Sequence, residues 1–159
     1  MCLNQARKLK MNYTEAKNLT RILALDYGER RIGLALSDSM KIIAKPYKTI
    51  ENISVKKVLE TLNEIIQDQS VEKIVVGIPI TLKNRNSRQT EIVNVFIDML
   101  NDKLSIPIIP YDERLTSVSA KRSLILQGIE TGRNKGEVDM TAAAIFLQNY
   151  LDENSNSKE

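Results

Sequence analysis

From Arg21 onward the chain alternates short apolar runs with segments of helical period. Ile22-Leu23-Ala24-Leu25 is an apolar run closed by Asp26, Tyr27-Gly28-Glu29-Arg30 reads as a turn, and Arg31-Ile32-Gly33-Leu34-Ala35-Leu36 forms a second run. Two such runs around a tight glycine-bearing turn predict a β-hairpin. A third strand is expected within residues 41–50, interrupted or held at the sheet edge by Pro46, which cannot donate to a ladder. Val55, Val58, Leu59, Leu62, Ile65 and Ile66 then follow i, i+3, i+4 spacing behind Ser54 as N-cap. Residues 73–77, Lys-Ile-Val-Val-Gly, read as a buried strand, and a polar loop follows over 81–87. Ile92, Val93, Phe96, Ile97 and Leu100 mark a second amphipathic helix, and residues 106–109 a short strand leading into Pro110-Tyr111-Asp112-Glu113. A third helix is expected over roughly 117–126. The last, over 138–151, is apolar on more than one face and should be well buried.

The resulting order is β-β-β-α-β-α-β-α-α. The first three strands, joined by short turns, should be antiparallel, and the later ones, separated by helices, parallel with right-handed crossovers. That predicts an α/β domain with a mixed five-stranded sheet flanked by helices, spanning residues 21–151. Outside it, residues 1–20 read as a flexible basic arm and 152–159 as a disordered polar tail. Three of the six glycines fall within 128–136, which marks that segment as a mobile loop and a candidate flap over substrate. At 159 residues and 42% hydrophobic composition, the chain has the size and apolar content of one ordinary globular domain.

Charge and composition narrow the chemistry. The net charge of +3 resides entirely in residues 1–20, where Arg7, Lys8, Lys10 and Lys17 face only Glu15, so the body is neutral overall. Any nucleic-acid contact by the body must therefore use local basic patches. The single cysteine excludes a disulfide framework, and the absence of histidine excludes His-based zinc sites, Ser-His-Asp and Cys-His catalysis, and any imidazole base. No apolar run approaches the roughly 18 residues of a membrane span and no signal-like apolar segment follows Met1, so a cytoplasmic protein is expected.

Acid, base or metal chemistry must then rest on carboxylates, lysines or tyrosines. Most acidic residues, such as Glu60, Glu64, Asp68, Glu91 and Asp98, fall on solvated helix faces. Asp26, Glu113 and Asp139 do not: the first two end apolar strands and the third opens the last helix. Each has an ordinary structural explanation, Asp26 in capping its own turn and the other two in favourable helix-dipole positions. Taken together, strand ends and helix starts on one side of an α/β sheet form the usual crevice for a site. Three carboxylates converging there would repel one another unless a cation is bound. An oxygen-only donor set suits Mg²⁺ or Mn²⁺, the inventory for metal-assisted phosphodiester hydrolysis.

Four ordered blocks, ALDYGERRIGLALSD, VVGIP, YDERLTS and VDMTAAAIFLQNYL, resemble the YqgF family of pre-16S ribosomal RNA nucleases and Holliday junction resolvase-like proteins. The resemblance runs from about Arg21 to Leu151. It implies an RNase H-like fold, a role in maturing the 5′ end of 16S ribosomal RNA with junction resolution as the older assignment, and Asp26, Glu113 and Asp139 at the family's acidic positions. The loop after Val-Gly-Ile-Pro departs from the family in lacking glycine over 80–86.

Basic and hydroxyl residues near these acids are candidate phosphate ligands: Arg30 and Arg114 foremost, with Arg31, Thr116, Ser117, Lys121, Arg122, Arg133 and Lys135, each of which could equally be ordinary surface charge or, for Thr116 and Ser117, a helix cap. The leading expectation is a metal-dependent nuclease acting on structured RNA or branched DNA, as a monomer or homodimer. A catalytically silent nucleic-acid-binding or ribosome-assembly factor on the same fold is the alternative. An actin-like ATPase, suggested by Asp26-Tyr27-Gly28 with Gly33, is excluded because that architecture needs two such domains.

Overall fold

The computed structural model describes residues 19–80, 87–115 and 135–157. Its centre is a five-stranded sheet of β1 (Arg21–Tyr27), β2 (Arg31–Ser37), β3 (Ala44–Glu51), β4 (Val71–Ile78) and β5 (Ile108–Asp112), in the order β3-β2-β1-β4-β5. β1 pairs antiparallel with β2, and β2 with β3, while β4 lies parallel to both β1 and β5. This is the mixed sheet the sequence predicts. Pro46 sits on edge strand β3, where the register steps from Leu34↔Lys48 to Ala35↔Pro46, a bulge at which its missing N–H is tolerated.

Helices α1 (Val55–Asp68) and α2 (Arg88–Lys103) cover one face of the sheet, and α3 (Lys135–Asn156) covers the other. Ser54 and Ser87 cap α1 and α2, their hydroxyls accepting the N–H of Lys57 and Thr90. Strand alternation divides the core. Leu23, Leu25, Ile32, Leu34, Ile74 and Val76 pack with Val58, Leu62, Ile65, Phe96 and Leu100 of α1 and α2. The opposite face offers smaller residues, Ala24, Ala35, Ala44 and Val75, against Ala143, Ala144, Phe146 and Leu147 of α3. Small side chains on both partners let α3 lie close over β1, β2 and β3.

The last helix is longer at both ends than its apolar period suggests. It begins at Lys135, so residues 135 and 136 belong to the helix rather than to a loop; glycine and charged residues there carry no apolar period to count. It continues to Asn156, which corrects the expectation of disorder after Leu151 for residues 152–156. Polar side chains hold that end. Gln148 Nε2 donates to Asp152, Asn149 Nδ2 and the Tyr111 hydroxyl both donate to Glu153, and Ser155 Oγ donates to the Leu151 carbonyl. At the other end of the domain, order already includes Thr20, whose hydroxyl donates to Glu72 at 2.6 Å. Residues 1–18 of the arm, the loop over 81–86, the expected helix over 117–126 and most of the glycine-rich segment lie outside the described residues. Among the described residues, no helix is long and apolar enough to cross a membrane.

Candidate active site

Asp26 is in phase with Ile22 and Ala24, so alternation along β1 turns its carboxyl toward α3, while Tyr27 turns the other way and packs against Phe96 with its ring tilted. It lies near the carboxyl end of β1, and β4 and β5 end on the same edge. Glu113 follows β5 directly, as the first residue of a short 3₁₀ turn (Glu113–Leu115). β4 lies between β1 and β5, so Glu113 must reach across a strand to meet Asp26.

Two glycines make that meeting possible. Leu25 pairs with Val76, which places Gly77 of β4 beside Asp26 on one side. A Cβ on Gly77 would lie 2.6 Å from Oε1 of Glu113 and 2.8 Å from Cε1 of Phe146, so the glutamate side chain crosses β4 through the space glycine leaves. On the other side Asp26 pairs directly with Gly33 of β2. A Cβ there would lie 2.3 Å from the carbonyl carbon and oxygen of Asp139 and 2.7 Å from its Cβ. The helix is thus seated on bare backbone, and Asp139 is brought beside Asp26. Both glycines lie inside the sequence blocks that carry the family resemblance, where nothing but their place within a strand points to this role. A glycine inside a strand is a recognised sign of close approach, and that signal was available in Arg-Ile-Gly-Leu-Ala and Ile-Val-Val-Gly-Ile.

The electrostatics follow from this crowding. Burial raises the Asp26 carboxyl to about 7, helped by the charges of Glu113 and Asp139 and by a hydrogen bond to Glu113. Burial also raises Glu113, with Asp112 adding to it, while the hydrogen bond with Asp26 acts in the opposite direction. The pair therefore shares a proton, Asp26 donating to Glu113, and titrates as a unit. Asp139 makes a different contact: its Oδ2 lies 3.8 Å from Nε of Arg31. Among the described residues no three acidic side chains are close enough to chelate one ion in common as they stand.

The basic candidates divide. Arg30 is exposed in the hairpin turn, and its carbonyl accepts the Asn52 N–H at 2.9 Å. Arg114 engages Asp112, its Nη2 lying 2.7 Å from Oδ2, and that hydrogen bond holds the Asp112 carboxyl below its ordinary range. Arg31, the neighbour of Arg30 at the same turn, is the one that lies beside Asp139. Lys135 is the first residue of α3, whereas Thr116 and Arg133 lie outside the described residues. Two buried carboxyls sharing a proton, with a third beside them, can exchange that proton for a hard cation or pass it to a reacting oxygen.

Known proteins are similar to this chain in sequence and in fold. A protein of Chloroflexus aurantiacus named "Putative pre-16S rRNA nuclease" is 42% identical over 131 residues, 82% of this chain and 86% of its own length. One of the same name from Ruminiclostridium cellulolyticum is 41% identical over 140 residues, 87% of this chain and 99% of its own. Among solved structures, Thermus thermophilus RuvC in complex with Holliday junction substrate matches with a TM-score of 0.56 at 13% identity, covering 86% of this chain and 97% of that one. At that identity the likeness concerns the fold, which is RNase H-like. The profile of the RuvX family, described as Holliday junction resolvase, matches residues 20–153, a span that takes in the sheet, the three described helices up to the last turn of α3, and each of the three acids. The chain therefore belongs to the RuvX family of Holliday junction resolvases, the family its sequence motifs resemble.

Proposed function

We propose that this chain is a divalent-metal-dependent nuclease that hydrolyses phosphodiester bonds at the edge formed by Asp26, Glu113 and Asp139. Its physiological role in this reading is maturation of the 5′ end of 16S precursor RNA in the cytoplasm, with branched DNA as a second substrate. The observation that carries the reading is the Asp26–Glu113 pair: two carboxyls driven together across a strand, at the cost of raising both. A protein gains no stability from such a pair, which suits a group required for function. The names of the relatives support the same substrate class.

The donor set fits Mg²⁺ or Mn²⁺. It is composed of oxygen alone, it is partly buried, and its repulsion is the kind a dication relieves. Asp26, Glu113 and Asp139 would hold the ion. When bound, such a cation supplies Lewis acidity at the phosphate and offsets charge on the departing oxygen. The chain itself must release the proton shared by Asp26 and Glu113, keep the two carboxylates aligned through the spaces at Gly33 and Gly77, and hold the substrate strand. For that last task we assign Arg30, Arg114, Thr116, Arg133 and Lys135 to phosphate contacts. With no histidine in the chain, no imidazole contributes a base.

The test compares wild type with Asp26→Asn on a labelled 16S precursor and on a four-way junction, with Mg²⁺ and with chelator. The variant should lose cleavage by about a hundredfold or more while still binding both substrates. Equal activity, or activity that survives chelation, would overturn the assignment in favour of a binding factor without catalysis.

A further inference from the structure

Arg31 is the first residue of β2, in phase with Gly33 and Ala35, and so on the face covered by α3. Its Nε is buried and has no hydrogen-bond acceptor among the described residues. The nearest anion, Oδ2 of Asp139, is 3.8 Å away, too far for a hydrogen bond. A buried guanidinium N–H left in this way calls for an acceptor. Both side chains stay open to solvent, Arg31 at 40% and Asp139 at 33% exposure, so a ligand can reach either of them. The contact is thus a loose counter-ion pair at the mouth of the acidic cluster. Arg114, by contrast, is seated on Asp112 with a 2.7 Å contact.

We infer that Arg31 is a positioning residue that serves as the resting counter-ion of Asp139 and exchanges it for a phosphate of the substrate, so that substrate and divalent cation bind cooperatively. This rests on the nuclease reading above. In the free protein the guanidinium competes with the cation for Asp139. A phosphate presents what Nε lacks, an anionic oxygen within reach of a planar fork of donors. Once the guanidinium turns to phosphate, the Asp139 carboxylate is left without its cation and becomes a better ligand. By linkage the effect is reciprocal: bound cation on Asp139 frees Arg31 for phosphate.

The experiment measures Mn²⁺ binding to the free protein by electron paramagnetic resonance, for wild type, Arg31→Gln, Arg31→Lys and Asp26→Asn. Removing the competing charge should tighten Mn²⁺ binding in Arg31→Gln by about two- to fivefold, the range an exposed ion pair supports. Arg31→Lys, which keeps the charge, should stay near wild type. In cleavage assays the Mg²⁺ concentration for half-maximal rate should fall as substrate is raised in wild type, and should stop depending on substrate in Arg31→Gln, whose KM rises. A purely structural role for Arg31 would weaken Mn²⁺ binding or leave it unchanged in Arg31→Gln, and either result overturns the inference. Arg31→Lys guards against a misfolded glutamine variant: if it too binds Mn²⁺ more tightly, competition by charge is wrong. Wild type that fails to bind Mn²⁺, or binds it equally well after Asp26→Asn, overturns the nuclease reading itself. Binding that requires Asp26 but ignores Arg31 overturns this inference alone.

Discussion

Replacing Asp26 by asparagine should make the protein more stable at neutral and alkaline pH while removing its activity. In the folded chain Asp26 titrates near 7, against an ordinary value of 3.8. Between those two values the folded state binds more protons than the unfolded state, so stability falls as pH rises from about 4 to about 7 and levels off above. At 1.36 kcal/mol per pH unit, ionising this carboxyl in place costs about 4 kcal/mol. Asparagine keeps the size and can still donate to Glu113, but it carries no charge to desolvate. Urea unfolding in chelator should therefore show Asp26→Asn ahead of wild type by about 3–4 kcal/mol at pH 8 and nearly equal to it at pH 4. Added Mg²⁺ should close most of the pH 8 gap by stabilising wild type. An equal gain at both pH values would mean the effect is packing rather than ionisation. A loss at pH 8 would mean that the crowding of carboxyls does not govern the site.

Three further outcomes test the way the site is built. Gly33→Ala should cost about 3 kcal/mol or more in chemical denaturation, because the new Cβ meets the Asp139 backbone, and a helix cannot shift as easily as a side-chain tip. Gly77→Ala should cost about 2–3 kcal/mol, since the Glu113 carboxyl can swing aside but the buried Phe146 ring, 2.8 Å from the new Cβ, cannot, and cleavage should drop as sharply as in Asp26→Asn. A variant that cleaves normally would show that Glu113 does not need the path over β4. Deleting residues 1–18, which spares the Thr20–Glu72 bond, should leave the melting temperature unchanged and flatten the dependence of log affinity on log salt, by about 0.9 for each phosphate that the arm neutralises in the full chain.

Much of this architecture could be read directly from spacing. The Asp26 carboxyl had to face the same side as Ile22 and Ala24, and the crossovers through α1 and α2 had to return β4 and β5 parallel to β1. The carboxyl ends of β1 and β5 therefore had to share an edge, which is why Asp26 and Glu113 could be paired without coordinates. The end of α3 was not legible. Residues 152–156 have the composition of a tail, and what holds them helical is a set of contacts from Gln148, Asn149 and Tyr111, two of them on the helix itself and one on a distant strand. Arg31 could be named from the sequence as a candidate, but not ranked above Arg30. Adjacent arginines in a turn are equivalent in sequence, and only the start of β2 decides that Arg31 enters the sheet in phase with Gly33 while Arg30 remains in solvent.

The positions of the glycines explain how the acids meet at Asp26. Three glycines lie outside the 128–136 segment, and two of them flank Asp26 on the strands to either side. Filling either space with a methyl group would strengthen strand packing in an ordinary sheet, because glycine in a strand interior loses more entropy on folding than any other residue and packs nothing. Here each space is taken up by an acid arriving from another element, Glu113 from beyond β5 and Asp139 from α3. Sheet stability is thus given up twice to concentrate negative charge, and the charge itself costs stability a third time through Asp26. Local rules broken together at one point, each in the same direction, mark a site maintained for chemistry. The remainder of the α3 face, with its alanines packed against alanines, keeps those rules and supplies the rigidity that holds the three carboxyls together.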